Sequence, residues 1–106
     1  MIHYRRTHPM APGRQADAVA FVKKVAEFHK QVTGIGMRVT VVTTGTLGRL
    51  CLSADYESIG AMEATDAKFS ESPEFKAMAK LYDQELRDGN SPWVPVAEYE
   101  EIWRDA

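Results

Sequence analysis

The sequence predicts an α+β fold in which a strand, a helix, two strands, a second helical region and a final strand follow one another. Three observations support this prediction. Short segments rich in β-branched and aromatic residues alternate in polarity, longer segments carry apolar residues at helical spacing, and glycine or proline separates the segments. The chain has 106 residues, 44% of them hydrophobic and 26% charged, as is typical of globular proteins. We therefore expect a single domain over residues 1–106.

The first strand and the first helix are predicted in the first third of the chain. Residues 1–8 are rich in β-branched and aromatic types, and the following Pro9 marks a turn. Residues 14–33 place apolar side chains along one side of a helix. Gly34 follows at the position where a helix commonly stops on a glycine.

A β-hairpin is predicted next, from residues 37–44 and 49–56, with the glycine-containing turn 45–48 between them. Within residues 49–56, mainly apolar side chains alternate with mainly polar ones. One face carries Leu50, Leu52, Ala54 and Tyr56. The other face carries Arg49, Cys51, Ser53 and Asp55.

The second helical region is predicted in two pieces. The first covers residues 58–69. The second begins with Ser72, which suits a capping position, and Pro73, which suits the first helical position. It is predicted to end at residues 89–90, Gly-Asn. Residues 96–104 alternate again and predict the last strand.

This order of elements predicts a ferredoxin-like βαββαβ fold, a four-stranded antiparallel sheet with both helical regions on one face. The first and third strands are expected in the centre, with the fourth beside the first. The opposite face would be bare in a monomer and, depending on register, would expose side chains such as Tyr99 and Trp103 or Val39 and Val41. Because a large exposed apolar face is unusual on a monomer, we expect a homodimer formed through the sheet.

Composition and charge argue against several classes of protein. The net charge is −2 and basic residues do not cluster, which argues against nucleic-acid binding. An RNA-binding sheet would also need exposed aromatic residues beside basic ones. No apolar run approaches the roughly 18 residues of a membrane span, and residues 1–6 lack the apolar stretch of a signal peptide. The single cysteine, Cys51, excludes an internal disulfide, and we expect a cytoplasmic protein.

Two polar residues interrupt the apolar sides of the predicted helices and are candidate catalytic residues. His29 lies four residues after Val25 and three before Val32, and Asp66 follows Met62 at helical spacing. His29 could act as a general base or orient a ligand, and Asp66 could orient His29 or accept a proton from a substrate hydroxyl. The alternative for His29 is a hydrogen-bonded core histidine. The alternative for Asp66 is a carboxylate at the rim of the helical layer, paired with a lysine or a backbone donor.

Three tyrosines and one arginine are candidates for ligand binding. They are Tyr4, Arg6, Tyr56 and Tyr82. Arg5 and Arg6 point to opposite faces of a central strand, and one of them could meet a ligand carboxylate or phenolate. The alternatives are that the aromatic side chains belong to the core, and that cross-strand pairs with Glu98, Glu100 and Glu101 account for the arginines.

No motif for a metal or a cofactor is found, and we predict neither. His3 and His8 are five residues apart on a strand and so face opposite ways, and with His29 they form no known metal spacing. The turn at residues 45–48 lacks the pattern of a phosphate-binding loop. Nothing in the sequence indicates a reactive thiol, and we interpret Cys51 as structural.

These features resemble the dimeric α/β-barrel proteins, a superfamily that includes antibiotic-biosynthesis monooxygenases and NIPSNAP-like proteins. The resemblance covers nearly the whole chain and rests on the order of elements and on residues 4–8, 50–56, 72–75 and 100–104. It implies a small organic ligand held between the helices and the sheet. Some members oxidise aromatic polyketides without metal or flavin. Others degrade haem with a helical histidine, which the second helical region of this chain lacks.

Two functions from different classes follow. The first is a cofactor-independent enzyme of the monooxygenase, isomerase or cyclase type that acts on a small aromatic or polyketide-like molecule, with His29 or Asp66 moving a proton. The second is a non-catalytic homodimer that binds a small ligand or assembles with a partner. A cavity between the helices and the sheet is required for both pocket-based functions.

Overall fold

The computed structural model describes residues 1–44, 48–87, 92 and 99–106, apart from the side chains of residues 85–87 and 99. A four-stranded antiparallel sheet in the order β2-β3-β1-β4 confirms the predicted fold, with β1 and β3 in the centre. The elements are β1 (Ile2–Pro9), α1 (Gln15–Thr33), β2 (Arg38–Val41), β3 (Arg49–Tyr56), α2 (Ile59–Ser70), α3 (Pro73–Arg87) and β4 (Tyr99–Arg104).

The helix ends lie where the capping residues predict them. Gly34 follows α1 in the left-handed conformation, with φ of 79°, and its N–H donates to the carbonyl of Lys30. The hydroxyl of Ser58 accepts from the N–H of Ala61 at the start of α2. Ser72 caps α3, because its hydroxyl accepts a hydrogen bond from the N–H of Phe75 at 3.2 Å.

Two predicted boundaries fall outside the described residues. These are the end of the last helix at residues 89–90 and the beginning of the last strand at residues 96–98. Within the described residues, β2 is shorter than the predicted segment 37–44, since strand pairing covers only Arg38–Val41. No helix in this part of the chain is long and apolar enough to cross a membrane.

The register of the sheet separates two faces of different chemistry. Ile2 lies opposite Tyr56 and His8 lies opposite Leu50, so the even-numbered residues of β1 and β3 share the face under the helices. Their side chains from β3 are buried: Leu50, Leu52, Ala54 and Tyr56. Buried Ala18 and Val22 of α1 pack against Leu50 and Leu52. The helices therefore cover the face that the alternating pattern of β3 marks as apolar.

The expectation that Val39 and Val41 lie on the uncovered face is wrong. Val39 lies opposite Leu52 and Val41 opposite Leu50, and directly paired residues point to the same side of a sheet. Both valines therefore belong to the helix-covered face. Trp103 does lie on the uncovered face, where it pairs with His3 and is 53% exposed.

The face opposite the helices, here called the open face, is polar rather than apolar among the described residues. The paired residues with described side chains on it are His3, Arg5, Thr7, Pro9, Arg38, Thr40, Arg49, Cys51, Ser53, Asp55, Glu101 and Trp103. The apolar character that led us to expect a dimer is therefore limited to Pro9 and Trp103 in this part of the chain. The homodimer stays a prediction, and any association through this face would involve charged side chains.

Leu50 is the largest side chain that is fully buried among the described residues. We expect Leu50→Ala to lower the free energy of unfolding by about 2–5 kcal/mol, because it removes buried methyl groups and leaves a cavity. Urea denaturation measures this change. Val41→Ala is the matched control, since Val41 is the cross-strand partner of Leu50 and is 50% exposed. The control should cost less than about 1 kcal/mol, and equal costs would contradict the assignment of the core.

Candidate functional site

A cavity of about 250 Å³ lies between the helices and the sheet. Side chains from β1, from all three helices and from β3 line it, and six of them are central to its chemistry: Arg6, His8, Phe21, Phe69, Phe75 and Tyr82. Arg6 and His8 reach it because the even-numbered residues of β1 face the helices. Phe75 and Tyr82 reach it from α3, where a spacing of seven residues puts both on the same side of the helix. The space that the pocket-based functions require is therefore present.

Two aromatic pairs shape the walls of this cavity. The rings of Phe69 and Phe75 meet edge to face, with centroids 5.3 Å apart. Those of Phe21 and Tyr82 lie at 31° with centroids 6.0 Å apart. Pairs of this geometry hold each other in place and present ring faces and edges to a neighbour. The cavity therefore has rigid aromatic walls on its helical side.

A polar group of side chains adjoins the cavity at Arg6. Arg6 lies opposite Glu100 in the β1–β4 pairing, and the hydroxyl of Tyr4 donates to Glu100 Oε2 at 3.3 Å. Burial raises the pKa of Tyr4 to about 12, although the nearby Arg6 opposes this change. Tyr4 is therefore a neutral hydrogen-bond donor over the physiological pH range.

His29 is buried behind Phe69, with 3% of its surface exposed and its ring 4.8 Å from that of Phe69. Its Nδ1 atom lies 3.1 Å from the carbonyl oxygen of Ile35 and 3.2 Å from Thr33 Oγ1. Since a carbonyl can only accept, Nδ1 carries a proton and donates it to Ile35. Among the residues described, no hydrogen-bond partner of Nε2 is found. His29 is thus hydrogen-bonded to the backbone within the core.

Asp66 lies on the exposed side of α2 but interacts electrostatically with His29, Glu100 and Tyr56. Burial raises the pKa of its carboxyl, the positive charge of His29 lowers it, and the negative charge of Glu100 raises it. Burial also raises the pKa of Tyr56 to about 12, with a further contribution from the Asp66 charge. A carboxyl whose pKa is raised above the ordinary value can hold a proton more readily than a solvated aspartate.

Electrostatic interactions thus link five of the six predicted site residues, and Tyr82 is not part of this group. We call the combination of Tyr4, Arg6, His29, Tyr56, Asp66 and Glu100 the polar cluster. Tyr82 lies apart from it, on the aromatic wall of the cavity. Arg6 and Phe69 connect the two regions, because both line the cavity while Arg6 lies beside Tyr4 and Phe69 contacts His29.

Glu100 was missed as a site residue. The sequence interpretation gave it only the role of a cross-strand partner for an arginine, and the register confirms that it lies opposite Arg6. Its hydrogen bond from Tyr4 and its effect on Asp66 depend on the packing of α2 over the sheet. The alternation of β4 was the available signal, since it places Glu100 on the same side as Ile102.

A second polar group was also missed, on the open face. His3 Nδ1 lies 2.8 Å from Asp55 Oδ1, and His3 Nε2 lies 2.8 Å from Asp105 Oδ1. The guanidinium of Arg38 is 3.5 Å from Asp55. These hydrogen bonds raise the pKa of His3 and lower those of both carboxyls. The available signal was the alternation of the strands, which puts His3 and Asp55 on the same face of the sheet once their strands are paired.

The open face also carries a depression of about 430 Å³ next to this group. Arg5, Cys51 and Trp103 are among the residues that line it. In the part of the chain that the structure describes, no group of three or more His, Cys, Asp or Glu side chains is arranged to hold a metal ion. The two faces of the sheet therefore differ: aromatic and polar groups meet under the helices, whereas ion pairs dominate the open side.

The strand order and the helical layer define the fold of this protein as ferredoxin-like α+β. Comparison with solved structures supports this class. A NIPSNAP domain protein from Burkholderia xenovorans superimposes with a TM-score of 0.76 at 14% identity, covering 100% of this chain and 95% of that one. A NIPSNAP family protein of unknown function from Agrobacterium tumefaciens gives a TM-score of 0.74 at 15% identity, covering 100% and 88%.

A candidate antibiotic biosynthesis monooxygenase from Bordetella bronchiseptica has the same fold, with a TM-score of 0.68 at 18% identity, covering 99% of this chain and 96% of that one. No protein-family model matches the sequence, and no curated protein matches it. At these identities the likeness establishes a shared fold, and fold alone does not establish a reaction. The resemblance inferred from the sequence is confirmed at the level of the fold.

The open-face ion pairs predict a pH-dependent contribution to stability. The folded pKa of His3 lies above its ordinary 6.5, so its contribution is full below pH 6.5 and is lost as the pH rises through the raised value. The contribution of the two carboxyls is lost only as the pH falls through their lowered pKa values. We therefore expect His3→Gln to destabilise the protein more at about pH 5.5 than at about pH 8.5.

Urea denaturation at both pH values measures the difference. Arg5→Gln is the control, because Arg5 shares the strand and the open face with His3 but lies opposite Ser53 and Glu101 instead of Asp55. Its effect on stability should be the same at both pH values. A cost of His3→Gln that does not change with pH would contradict a charged His3 held between two carboxylates.

Proposed function

We propose that this chain is a cofactor-independent enzyme of the monooxygenase, isomerase or cyclase type that acts on a small aromatic or polyketide-like molecule. The observation that carries the proposal is the contact between the polar cluster and the 250 Å³ cavity through Arg6 and Phe69. The reaction types come from the resemblance, and the candidate monooxygenase from Bordetella bronchiseptica has the same fold.

The polar cluster supplies the groups that a proton transfer needs. All three reaction types, on a phenolic or β-dicarbonyl substrate, can begin with loss of a proton from oxygen or carbon. Asp66 does not line the cavity, so it is proposed to take the proton from a part of the substrate that extends beyond the cavity, where its carboxyl has a raised pKa. His29 is proposed as a positioning residue whose charge tunes the pKa of Asp66.

The hydrogen-bond donors of the polar cluster are proposed to stabilise the anion that forms when the substrate loses its proton. Removal of the proton leaves negative charge on a substrate oxygen, and Arg6 lines the cavity with a cationic guanidinium. Tyr4 and Tyr56, both with pKa values raised to about 12, stay protonated; they do not line the cavity and are proposed to donate to a part of the substrate that extends beyond it. Donors placed before the charge develops stabilise it without reorganisation.

A non-catalytic, homodimeric ligand-binding protein is the second candidate. One specific observation favours it: His29 is almost wholly buried and Nδ1 is bonded to the backbone of Ile35, a geometry typical of a structural histidine. Under this alternative the cavity binds its ligand without turnover.

We also propose that two copies associate through the open face. Charges of both signs lie on it, with Arg5 and Arg38 set against Glu101 and Asp105. A two-fold axis can bring unlike charges of two identical surfaces opposite each other. Trp103 is an exposed aromatic side chain of the kind that anchors interfaces.

The proton-transfer proposal predicts accelerated deuterium exchange at C2 of 1-phenyl-1,3-butanedione in D₂O, followed by NMR. We expect Asp66→Asn to lower the protein-catalysed rate by about 10²–10⁴-fold, because the amide cannot accept the proton. The rate should rise with pH through a pKa above the 3.8 of an ordinary aspartate. His29→Gln should shift that pKa upwards, since it removes the charge that lowers it.

Glu63→Gln is the matched control, an exposed carboxyl one turn earlier on α2 that should leave the rate unchanged. Equal rates in Asp66→Asn and Glu63→Gln would remove Asp66 from the mechanism. Binding of the probe without any accelerated exchange would favour the non-catalytic alternative.

The dimer proposal predicts a concentration-dependent mass in sedimentation equilibrium, and weaker association at high salt because the interface is charged. Trp103→Glu should shift the equilibrium towards monomer. Ile102→Glu is the control, because Ile102 is 48% exposed, close to Trp103, but belongs to the opposite side of β4. A monomer mass at every concentration, or equal effects of the two variants, would count against this interface.

A further inference from the structure

The two halves of the open face differ in how far their polar groups are paired within the chain. On the half formed by β2 and β3, the guanidinium of Arg38 lies 3.5 Å from Asp55 Oδ2, and its Nε donates to Ser53 Oγ at 3.5 Å. The hydroxyl of Thr40 donates to the carbonyl of Cys51 at 3.4 Å. These groups of the β2–β3 half therefore have partners in their own chain.

The half formed by β1 and β4 carries two charges without such partners. Arg5 and Glu101 lie directly opposite each other in the pairing of β1 with β4, and both residues are exposed. Among the residues that the structure describes, no hydrogen bond or ion pair is found for either side chain. A guanidinium has five N–H donors and a carboxylate has two acceptor oxygens. Both groups are therefore available to a partner outside the chain.

A large exposed aromatic side chain lies on the same half of the open face. Trp103 follows Glu101 at the next position of β4 that points to this side, and it is 53% exposed. Tryptophan and arginine are the residues that most often carry the binding energy of an interface. The unpaired charges and the exposed ring thus place the centre of an association surface on β1 and β4.

A second copy of the chain has the charges that this surface requires. A partner has to present an anion to Arg5 and a cation to Glu101 at the spacing of two neighbouring strands. A two-fold axis that runs parallel to the strands, midway between β1 and β4, sets Arg5 over the partner's Glu101 and the reverse. Packed sheets lie about 10 Å apart, a distance that an arginine and a glutamate reaching towards each other can span.

Other positions of the axis leave one or both charges poorly matched. An axis midway between β1 and β3 sets Arg5 over the partner's Ser53 and Glu101 over the partner's Arg38, which already has Asp55 beside it. An axis across the strands through this row sets Arg5 over the partner's Arg5, where like charges repel. Of these three positions, the axis between β1 and β4 is the one that pairs both unpaired charges.

We propose that two reciprocal ion pairs, each between Arg5 of one copy and the partner's Glu101, hold the open-face homodimer about a two-fold axis between β1 and β4. The same axis sets Trp103 of each copy over the partner's β1. This inference rests on the proposed association through the open face. It adds the position of the axis and the two residues by which the chain selects an identical copy as its partner.

Two charge-reversed variants test the inference when each is analysed alone and when they are mixed. Arg5→Glu places two anions at the paired positions and Glu101→Arg two cations, so either variant alone brings like charges together twice per dimer. We expect the dissociation constant of each homodimer, measured by sedimentation equilibrium, to rise at least about tenfold. An equimolar mixture should recover a dimer as tight as that of the unmodified protein, because every pair across the interface again joins a cation and an anion.

Mixing separates pairing between copies from pairing within one chain, because an ion pair inside one chain cannot be restored by adding another chain. Arg38→Glu mixed with Glu101→Arg is the matched control, since Arg38 lies in the same row of the sheet but on β2. This mixture should not recover the dimer. Recovery with Arg38→Glu as complete as with Arg5→Glu would overturn the inference, since it would place the axis between β1 and β3.

A double variant decides the question if one of the single reversals impairs folding, which circular dichroism would show. Arg5→Glu combined with Glu101→Arg keeps one charge of each sign and should form a homodimer as tight as that of the unmodified protein. A weakened homodimer of this folded double variant would overturn the inference. So would a mixture of folded single variants that fails to recover the dimer.

The inference and the proposed association can fail separately. A dimer of the unmodified protein that withstands both single reversals would overturn the reciprocal ion pairs and leave association through the open face to the Trp103→Glu test. A monomer mass of the unmodified protein at every concentration would overturn the association itself, and the ion pairs with it.

Discussion

The antiparallel pairing of β1 with β3 is the interaction on which the rest of the structure depends. It begins with Ile2 opposite Tyr56 and ends with Pro9 opposite Arg49, in the middle of the sheet. Because side chains alternate between faces, a slip of one residue in either strand would move its whole set to the other side. The burial of Leu50 beneath the helices opposes such a slip, since the leucine would be exposed and a charged neighbour buried.

One consequence of this register is that neighbouring residues have unlike surroundings. Arg5 lies between Ser53 and Glu101 on the open face, whereas Arg6 lies between Leu52 and Glu100 under the helices. His3 is held between two carboxylates on the open face, while Tyr4 is half-buried and donates a hydrogen bond to Glu100 on the other. The same alternation therefore separates an ion-pair surface suited to association from a partly desolvated interface suited to a ligand.

The helical layer determines the electrostatics of that second interface. By covering the sheet it removes water from Tyr4, Tyr56 and Asp66, and burial is the largest cause of the raised pKa of each. It also brings His29 of α1 close enough to influence Asp66 of α2. The solved structures with this fold include NIPSNAP proteins and candidate monooxygenases. A fold with such different members supports several chemistries, so the reaction has to be argued from these side chains.

The sequence by itself determined the elements and their faces. Alternation placed Leu50 and Leu52 on one face of their strand and Arg5 and Arg6 on opposite faces of theirs, and Gly34 and Ser72 marked helix ends, because these signals depend on backbone geometry within a few residues. Alternation could not say which β3 residue meets which β2 residue, and so Val39 and Val41 were placed on the wrong face.

Only the tertiary structure decided the partners of the site residues. His29 was a candidate from its position in the apolar stripe, but its bond to Ile35 depends on the path of the chain after α1. Glu100 joins the polar cluster only because β4 pairs with β1, far away in sequence, while α2 packs against β3, the neighbour of β1 in the sheet. Side-chain direction along one element is a local property, whereas distances and desolvation between elements depend on how remote segments pack.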